Sequence, residues 1–394
     1  MDREITQCRH FGVCGGCRWQ DVPYCGQLIR KRQYVQDLFR EAGFSCAVPP
    51  VAPSPQWYYR NKMEFTFAQE GGRVTCGFYH RTKKRTVVDL SECKIFSPDA
   101  GPILETVKEF VREKGYPAYN KYTHQGFLRN LIVRETKRGK ELMVGIVTTG
   151  QGKLDAGGFV NALRRCGTRG RVVSVYQVKN DSWSDAVVFE QKELLFGDAM
   201  ITEEILGMKF HVGIDSFFQV NPAAAECFYR RIRERVSGSG DGTAQVLDLF
   251  CGAGGIGLVI APHVGRVHGV EVQEAIVDAA RKNARENGVR NISFTVFDTR
   301  RFLSFHGREY RGADYVVLNP PRNGISKKIA RGVLRLESPA IIYSSCNART
   351  LVRDLSWLRD WYRIDWVVPV DLFPHTPHLE CVAALSKTAE EIDL

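Results

Sequence analysis

No apolar run in this 394-residue chain approaches the roughly 20 residues needed to cross a bilayer. The opening residues, MDREITQCRH, hold no apolar signal-peptide core either. Those absences exclude a membrane-spanning helix and set the expectation of a cytoplasmic protein. Low-complexity tracts and internal repeats are also missing. What is left is an ordinary globular composition, 44% hydrophobic and 25% charged, long enough for two or three domains. Without a secretory signal, the 12 cysteines do not read as a disulfide framework, and metal binding or catalysis becomes the alternative. Positive charge is what the chain has in excess. A net charge of +11 points to a polyanionic partner, nucleic acid foremost.

The cysteines are unevenly spread. Cys8, Cys14 and Cys17 crowd the first 20 residues, whereas Cys166 and Cys227 fall in amphipathic helical segments and read as core packing. Apolar side chains at Leu28, Val35, Leu38, Phe39 and Ala42 have helical spacing that stops at Gly43. The proline-rich VPPVAPSP follows. Residues 58–150 alternate like strands (MEFTF, VTCGFY, TVVDL, LIVRET, ELMVGIVTT), interrupted by helices near 98–114 and 153–165, with VVSVYQV beyond. This is an α+β region. A helix near 222–236 leads through SGSGDGT, a flexible loop, into a regular alternation of strand and helix from Val246 onward. That rhythm predicts a mainly parallel, doubly wound α/β sheet.

Three features fall in order along that sheet. The turn DLFCGAGGIG carries glycines at 252, 254, 255 and 257, which let the backbone turn sharply and approach a ligand closely. It lacks the dinucleotide spacing, and no lysine–serine pair follows it, so neither a dinucleotide nor a phosphate loop fits. Glu271 ends the next strand, where an acid can accept ribose hydroxyls, and Asp298 ends the third. Each acid alone also suits a helix cap. Together the three predict an adenosyl pocket. Asn319 opens the loop NPPR after a fourth strand and can pair with a flat polar edge. Cys346, in SSCN, ends a fifth, in the polar setting that a nucleophilic thiol requires. Glu380 follows PHTPHL among apolar neighbours, where burial would raise its pKa and suit it to proton transfer. His375 and His378 read as structural turn residues in preference to metal ligands.

Taken in order, QCRHFGVCGGCRWQ, YRNKMEF, SFFQVNP, DLFCGAGGIG, NPPR, SSCN and PHTPHLE resemble the uracil-5-methyltransferase family, which acts on ribosomal and transfer RNA using S-adenosylmethionine. The resemblance spans nearly the whole chain. It implies a Rossmann-like class I methyltransferase domain plus an α+β central RNA-binding domain carrying a four-cysteine cluster. The divisions expected are 1–19 for the cysteine segment of the central domain, 20–51 for a helix packing on the catalytic domain, 52–214 for the central domain and 215–394 for the methyltransferase. The thiolate of Cys346 would add to carbon 6 of a uridine, carbon 5 would take the methyl group, and Glu380 would remove its proton. Gln219, Phe250, Glu271, Asn319 and Asp298 would contact the cofactor; where Asn319 stands, many relatives carry aspartate.

Cys8, Cys14, Cys17 and Cys93 look like the [4Fe–4S] site of the ribosomal RNA branch, although four thiolates equally suit structural zinc. Cys25 is then a fifth thiol, read as packing. No N-terminal β-barrel RNA-binding domain is expected, because Cys8 comes almost at once. RNA contacts would fall on Tyr59, Arg60 and Lys62, on His80, Arg81, Lys83, Lys84 and Arg85, and on Lys121, Tyr122, Phe127 and Arg129. The substrate expected is a flipped uridine of 23S ribosomal RNA, and the enzyme a monomer. The rivals are a transfer RNA enzyme, an amino-directed methyltransferase using NPPR, and a non-enzymatic iron–sulfur RNA-binding protein.

Overall fold

The computed structural model describes residues 7–238 and 242–388. Side chains along β1 (Lys62–Glu70) alternate between buried and half-buried, the period of a strand with one face on a core. Gly71 and Gly72, both at positive φ, turn it into β2 (Arg73–Tyr79). The sheet is completed by β3 (Val87–Asp89), β4 (Leu128–Glu135), β5 (Glu141–Thr148), β6 (Arg171–Lys179) and β7 (Gln191–Gly197), in the order β3-β2-β1-β4-β5-β6-β7. Only β5 and β6 run parallel, because a helix joins them. That helix, α3 (Ala156–Arg164), follows α2 (Ala100–Glu113) in chain order. Both cover one face, where Ile103 and Phe159 share a core with Phe65, Leu131 and Val144.

The opposite face of the same sheet does not meet water. Ile132, Met143 and Val178 belong to one core with Phe210, Phe228, Ile256 and Val267 of the segments that follow. A hairpin of β8 (Ile201–Ile205) and β9 (Met208–Val212) lies in this seam. The second sheet begins after α4 (Pro222–Ser237), with β10 (Gln245–Leu249), α5 (Gly255–Ile260), β11 (Arg266–Glu271), α6 (Glu274–Glu286), β12 (Ile292–Val296), α7 (Thr299–Phe305), β13 (Tyr315–Leu318), α8 (Lys327–Leu334), β14 (Ala340–Ser345) and α9 (Ala348–Ser356). It ends with β15 (Tyr362–Val370) and β16 (Glu380–Lys387). The strand order is β12-β11-β10-β13-β14-β16-β15, parallel through β14 and antiparallel around β16. The order reverses between β10 and β13, the place where an open α/β sheet leaves a crevice for a ligand.

On the far side of that sheet, α1 (Tyr24–Glu41) buries Val35 and Phe39 against Leu247 and Leu351. It also carries an ion pair into the core: Lys31 Nζ lies 2.5 Å from Asp371 Oδ1, both side chains being wholly buried. A buried pair of this kind is costly to break from one side. Replacing Lys31 with methionine should cost about 3–5 kcal/mol, because it strands the Asp371 carboxylate. The double variant with Asp371→Leu should recover most of it, as read from urea unfolding midpoints. A single variant as stable as the parent would contradict this assignment.

Some elements escaped the sequence pattern. β7 shows no alternation because its side chains are exposed on both faces, and α7, at seven residues, is too short to impose a period; α9, directly after the SSCN motif, was also missed. The hairpin β8–β9 was hidden within the α+β region. The expected loop at 237–243 falls in part on residues 239–241, outside the described residues. Cys25 is exposed at the start of α1, not packed as its type suggested. No helix among the described residues is long and apolar enough to cross a membrane.

Candidate active site

The register of the sheet assembles the site. Glu271 pairs with Val296, Val270 with Leu249, Leu249 with Leu318, and Leu318 with Tyr343, so these strands end along one edge. Phe250 and Asn319, each one residue further on, therefore emerge side by side. Phe250 sits at φ +62°, a conformation disfavoured for a bulky side chain, which marks the start of the glycine turn as strained. Gly254, at φ +81°, caps α5. At Gly255 a Cβ would run into the Tyr229 hydroxyl, so the turn closes only because that side chain is missing.

Beneath this turn Asp248 is fully buried, and neither carboxylate oxygen has a partner in hydrogen-bonding geometry. Burial pushes its pKa up to about 7, the Gly257 N–H giving only partial relief. A buried, unpartnered acid under a glycine turn suits a cationic cofactor, and S-adenosylmethionine carries both a sulfonium and an ammonium group. Glu271 spends one oxygen on the backbone N–H groups of Val272 and Gln273, at 2.8 and 3.2 Å. Asp298 spends one on the Arg301 N–H at 3.0 Å and so caps α7. The second oxygen of each acid makes no hydrogen bond among the described residues. The phenol of buried Tyr229 has its pKa raised by burial and then by the charges of Asp248 and Glu380, with the Gln219 side chain opposing them. Tyr229 thus stands between the glycine turn and the second acid, a role with no signal in its sequence context.

The other half of the site comes from the antiparallel pair β14–β16. Ser345 pairs with Cys381, and extending that register by one residue sets Cys346 against Glu380. Glu380 is buried, 3% exposed, and accepts a 2.7 Å hydrogen bond from Ser344 Oγ. Desolvation lifts its pKa to about 7, against a lowering by Ser344. Such a carboxyl exchanges protons near neutrality. Burial also raises the Cys346 thiol, and Glu380 adds to the effect, while the Arg322 guanidinium and its hydrogen bond oppose both. Arg322 is held beside Cys346 by its carbonyl, which accepts from Asn347 Nδ2 and Thr350 Oγ1 at 3.3 and 3.2 Å. Sequence reading stopped at Asn319 of NPPR. The charge at Arg322 was the available clue.

A pocket of about 530 Å³ opens over Cys346. Trp19 and Tyr34 are among its walls, with Arg30, Arg322 and His378. Aromatic faces and cations around a thiol suit a nucleobase and its phosphates. The turn ahead of Glu380 is tied to the N-terminal segment: Arg18 and Trp19 donate to the His375 carbonyl at 2.8 and 3.1 Å, and Gln27 bonds His375 Nδ1 at 3.1 Å. His375 is accordingly structural.

Cys8, Cys14, Cys17 and Cys93 line one small cavity beside β2 of the first sheet. Burial raises all four thiols, Cys17 up to about 12. Among the described residues no group of three or more His, Cys, Asp or Glu is arranged to hold a metal ion.

The expected RNA contacts divide. Tyr59, Phe127 and Arg129 are buried, and Arg129 is spent on the carbonyls of Asn180, Ser182 and Ser184. Tyr122 is exposed, with the Arg85 guanidinium 4.5 Å from its ring, and Lys121 Nζ lies 5.3 Å from the exposed ring of Tyr79, a residue outside the expected set.

A family model described as tRNA (uracil-5-)-methyltransferase matches residues 190–388. An RNA methyltransferase of Clostridium tetani is 37% identical over 389 residues, covering 97% of this chain and 84% of that one. One from Caldanaerobacter subterraneus is 38% identical over 388 residues, covering 97% and 85%. Among solved structures, the Pyrococcus abyssi tRNA (uracil-54, C5)-methyltransferase in complex with S-adenosyl-L-homocysteine is 31% identical, with a TM-score of 0.78, covering 95% of this chain and 86% of that one. The open sheet, its cofactor crevice and these relatives agree: the chain belongs to the S-adenosylmethionine-dependent RNA (uracil-5-)-methyltransferase family.

Proposed function

We propose that the protein methylates carbon 5 of a uridine in 23S ribosomal RNA through a covalent adduct on Cys346. The observation that carries this reading is the register of β14 on β16, which, extended by one residue, sets Cys346, in the wall of the pocket, against the buried carboxyl of Glu380. An unactivated uracil carbon is a poor nucleophile. Addition of the Cys346 thiolate to carbon 6 moves the ring electrons onto carbon 5, which then takes the methyl group. Glu380 removes the proton left on carbon 5, the carbon 5–carbon 6 double bond re-forms, and the sulfur–carbon 6 bond breaks. Bound S-adenosylmethionine supplies the electrophilic methyl group. Gln219, Phe250, Glu271, Asp298 and Asn319 are the residues assigned to hold it, around the unpartnered Asp248.

Ribosomal RNA is preferred because Cys8, Cys14, Cys17 and Cys93 meet in one cavity, as the resemblance to the ribosomal branch requires. One zinc ion needs four sulfurs converging at about 2.3 Å from a single point. A [4Fe–4S] cluster binds each thiolate to a different iron and so accepts a wider spread. The resemblance favours the cluster over zinc, and its role would be structural, since methyl transfer moves no net electrons. Transfer RNA is the second reading, favoured by the substrate of the Pyrococcus abyssi relative. Mapping 5-methyluridine in both RNA pools, with and without the gene, separates them. Loss from 23S ribosomal RNA is expected, and loss from transfer RNA alone would overturn the first reading.

A further inference from the structure

On α8 and its C-cap, Lys328, Arg331 and Arg335 recur at a spacing of three and four residues and so lie along one helical face. Arg301 and Phe305 repeat the relation on α7, with Arg300 beside them. Phe302 and Leu303 of α7 and Ala330 and Val333 of α8 are buried in the core beneath, which fixes the two helices side by side. The outward faces enclose an open groove of about 470 Å³ lined by these five cations, Ser304 and Phe305, with no acid among them. Phe305 is 68% exposed.

An ordinary solvated face intersperses both signs, as where Arg138 pairs with Glu204 and Glu226. Here none of the five cations has an ion-pair partner among the described residues. Five unneutralised charges around one groove, with an exposed aromatic ring, match a sugar–phosphate backbone and an unpaired base. Both helices of the groove begin next to the catalytic edge of the sheet. α7 starts directly after Asp298, and α8 starts after the loop that carries Asn319 and Arg322.

We infer that the α7–α8 groove is a second RNA-binding surface, which grips the strand flanking the target uridine on the side of the catalytic sheet away from the central domain. This rests on the RNA-methylating activity of the family. Arg331 and Arg335 contact phosphates, and Phe305 stacks on a base. A strand long enough to leave the Cys346 pocket reaches the groove, while a few nucleotides do not.

The test compares fluorescein-labelled oligouridylates of 5 and 40 nucleotides (about the scale that separates pocket from groove, given OB-fold-like sites of roughly 4–16 nucleotides). Binding to the parent and to the Arg331→Glu/Arg335→Glu variant is measured against salt. The 40-mer should bind the variant about tenfold more weakly, with a salt slope shallower by about 1.4, since each single-strand phosphate contact contributes roughly 0.7. The 5-mer should bind both alike, and unchanged S-adenosylmethionine affinity verifies the fold. Equal 40-mer binding and slope in parent and variant would overturn the groove assignment while leaving the catalytic reading intact. If the parent bound neither probe, the RNA reading would fall and take the groove with it.

Discussion

Replacing Cys346 with alanine is expected to lower methyl transfer by roughly 10⁴–10⁶-fold, the range seen when a covalent nucleophile is removed. The size of the effect follows from what the thiol does. Without addition at carbon 6, carbon 5 has no excess electron density with which to take a methyl group, and no neighbouring group can replace that activation. Cys346 is only half-buried, so alanine leaves no sizeable cavity, and the fold should persist. S-adenosylmethionine affinity should be unchanged, because the residues assigned to the cofactor lie at the ends of β10, β11, β12 and β13 and just before α4, away from β14. The measurement is twofold: methyl incorporation into RNA, and a denaturation-resistant protein–RNA band seen with the parent and lost in the variant. Methyl transfer within tenfold of the parent would remove the covalent mechanism. It would also revive the amino-directed alternative, in which NPPR serves an exocyclic nitrogen and Cys346 is a bystander.

How far this site could be read in advance depended on whether a residue's role was local. The glycine turn was legible because glycine adopts the positive φ of positions 252 and 254 without strain and allows close approach at 255, and that freedom is written in the residue type. The strand–helix rhythm gave the parallel sheet for the same reason, since its strands are short apolar runs between turns. Glu380 stood out as an acid among apolar neighbours. Asp298 carried both readings at once, as helix cap and as ligand, and the structure realises the cap while leaving an oxygen free. Roles made by long-range packing were not legible. Tyr229 meets Asp248 and Glu380 only because α4 packs under the second sheet. Lys31 is buried only because α1 crosses to Asp371. Phe127 and Arg129 looked like RNA contacts by composition, but strand β4 turns both inward. Exposure is a property of the fold, and a basic–aromatic cluster in sequence does not report it.

The second large effect belongs to Glu380→Gln, and it has opposite signs for activity and for stability. Glutamine keeps the shape and can still accept from Ser344, but it cannot take the proton from carbon 5. Turnover should fall by about 10²–10⁴-fold, the usual contribution of a general base. The adduct formed by Cys346 should accumulate instead of clearing, and the doubly substituted Cys346→Ala/Glu380→Gln chain should show none. In the parent, turnover should rise with pH through about 7, as the carboxyl ionises, and rise again at higher pH as the half-buried Cys346 thiol ionises, only the first rise being lost in Glu380→Gln. Stability runs the other way. The folded pKa of Glu380 lies above its ordinary value of 4.5, so the native state holds a proton that the unfolded chain has already lost. Folding is therefore unpenalised by this group below about pH 4.5 and increasingly penalised as pH rises towards 7. A rise of roughly two to three units corresponds to about 3 kcal/mol, at about 1.4 kcal/mol per unit. Glutamine removes that penalty. Its urea midpoint should match the parent near pH 4 and exceed it at pH 8, so the variant that stalls catalysis should be the more stable protein. A parent and variant with the same difference in stability at both pH values would show that Glu380 is not held protonated by burial. An absence of accumulated adduct would show that it does not remove the carbon 5 proton.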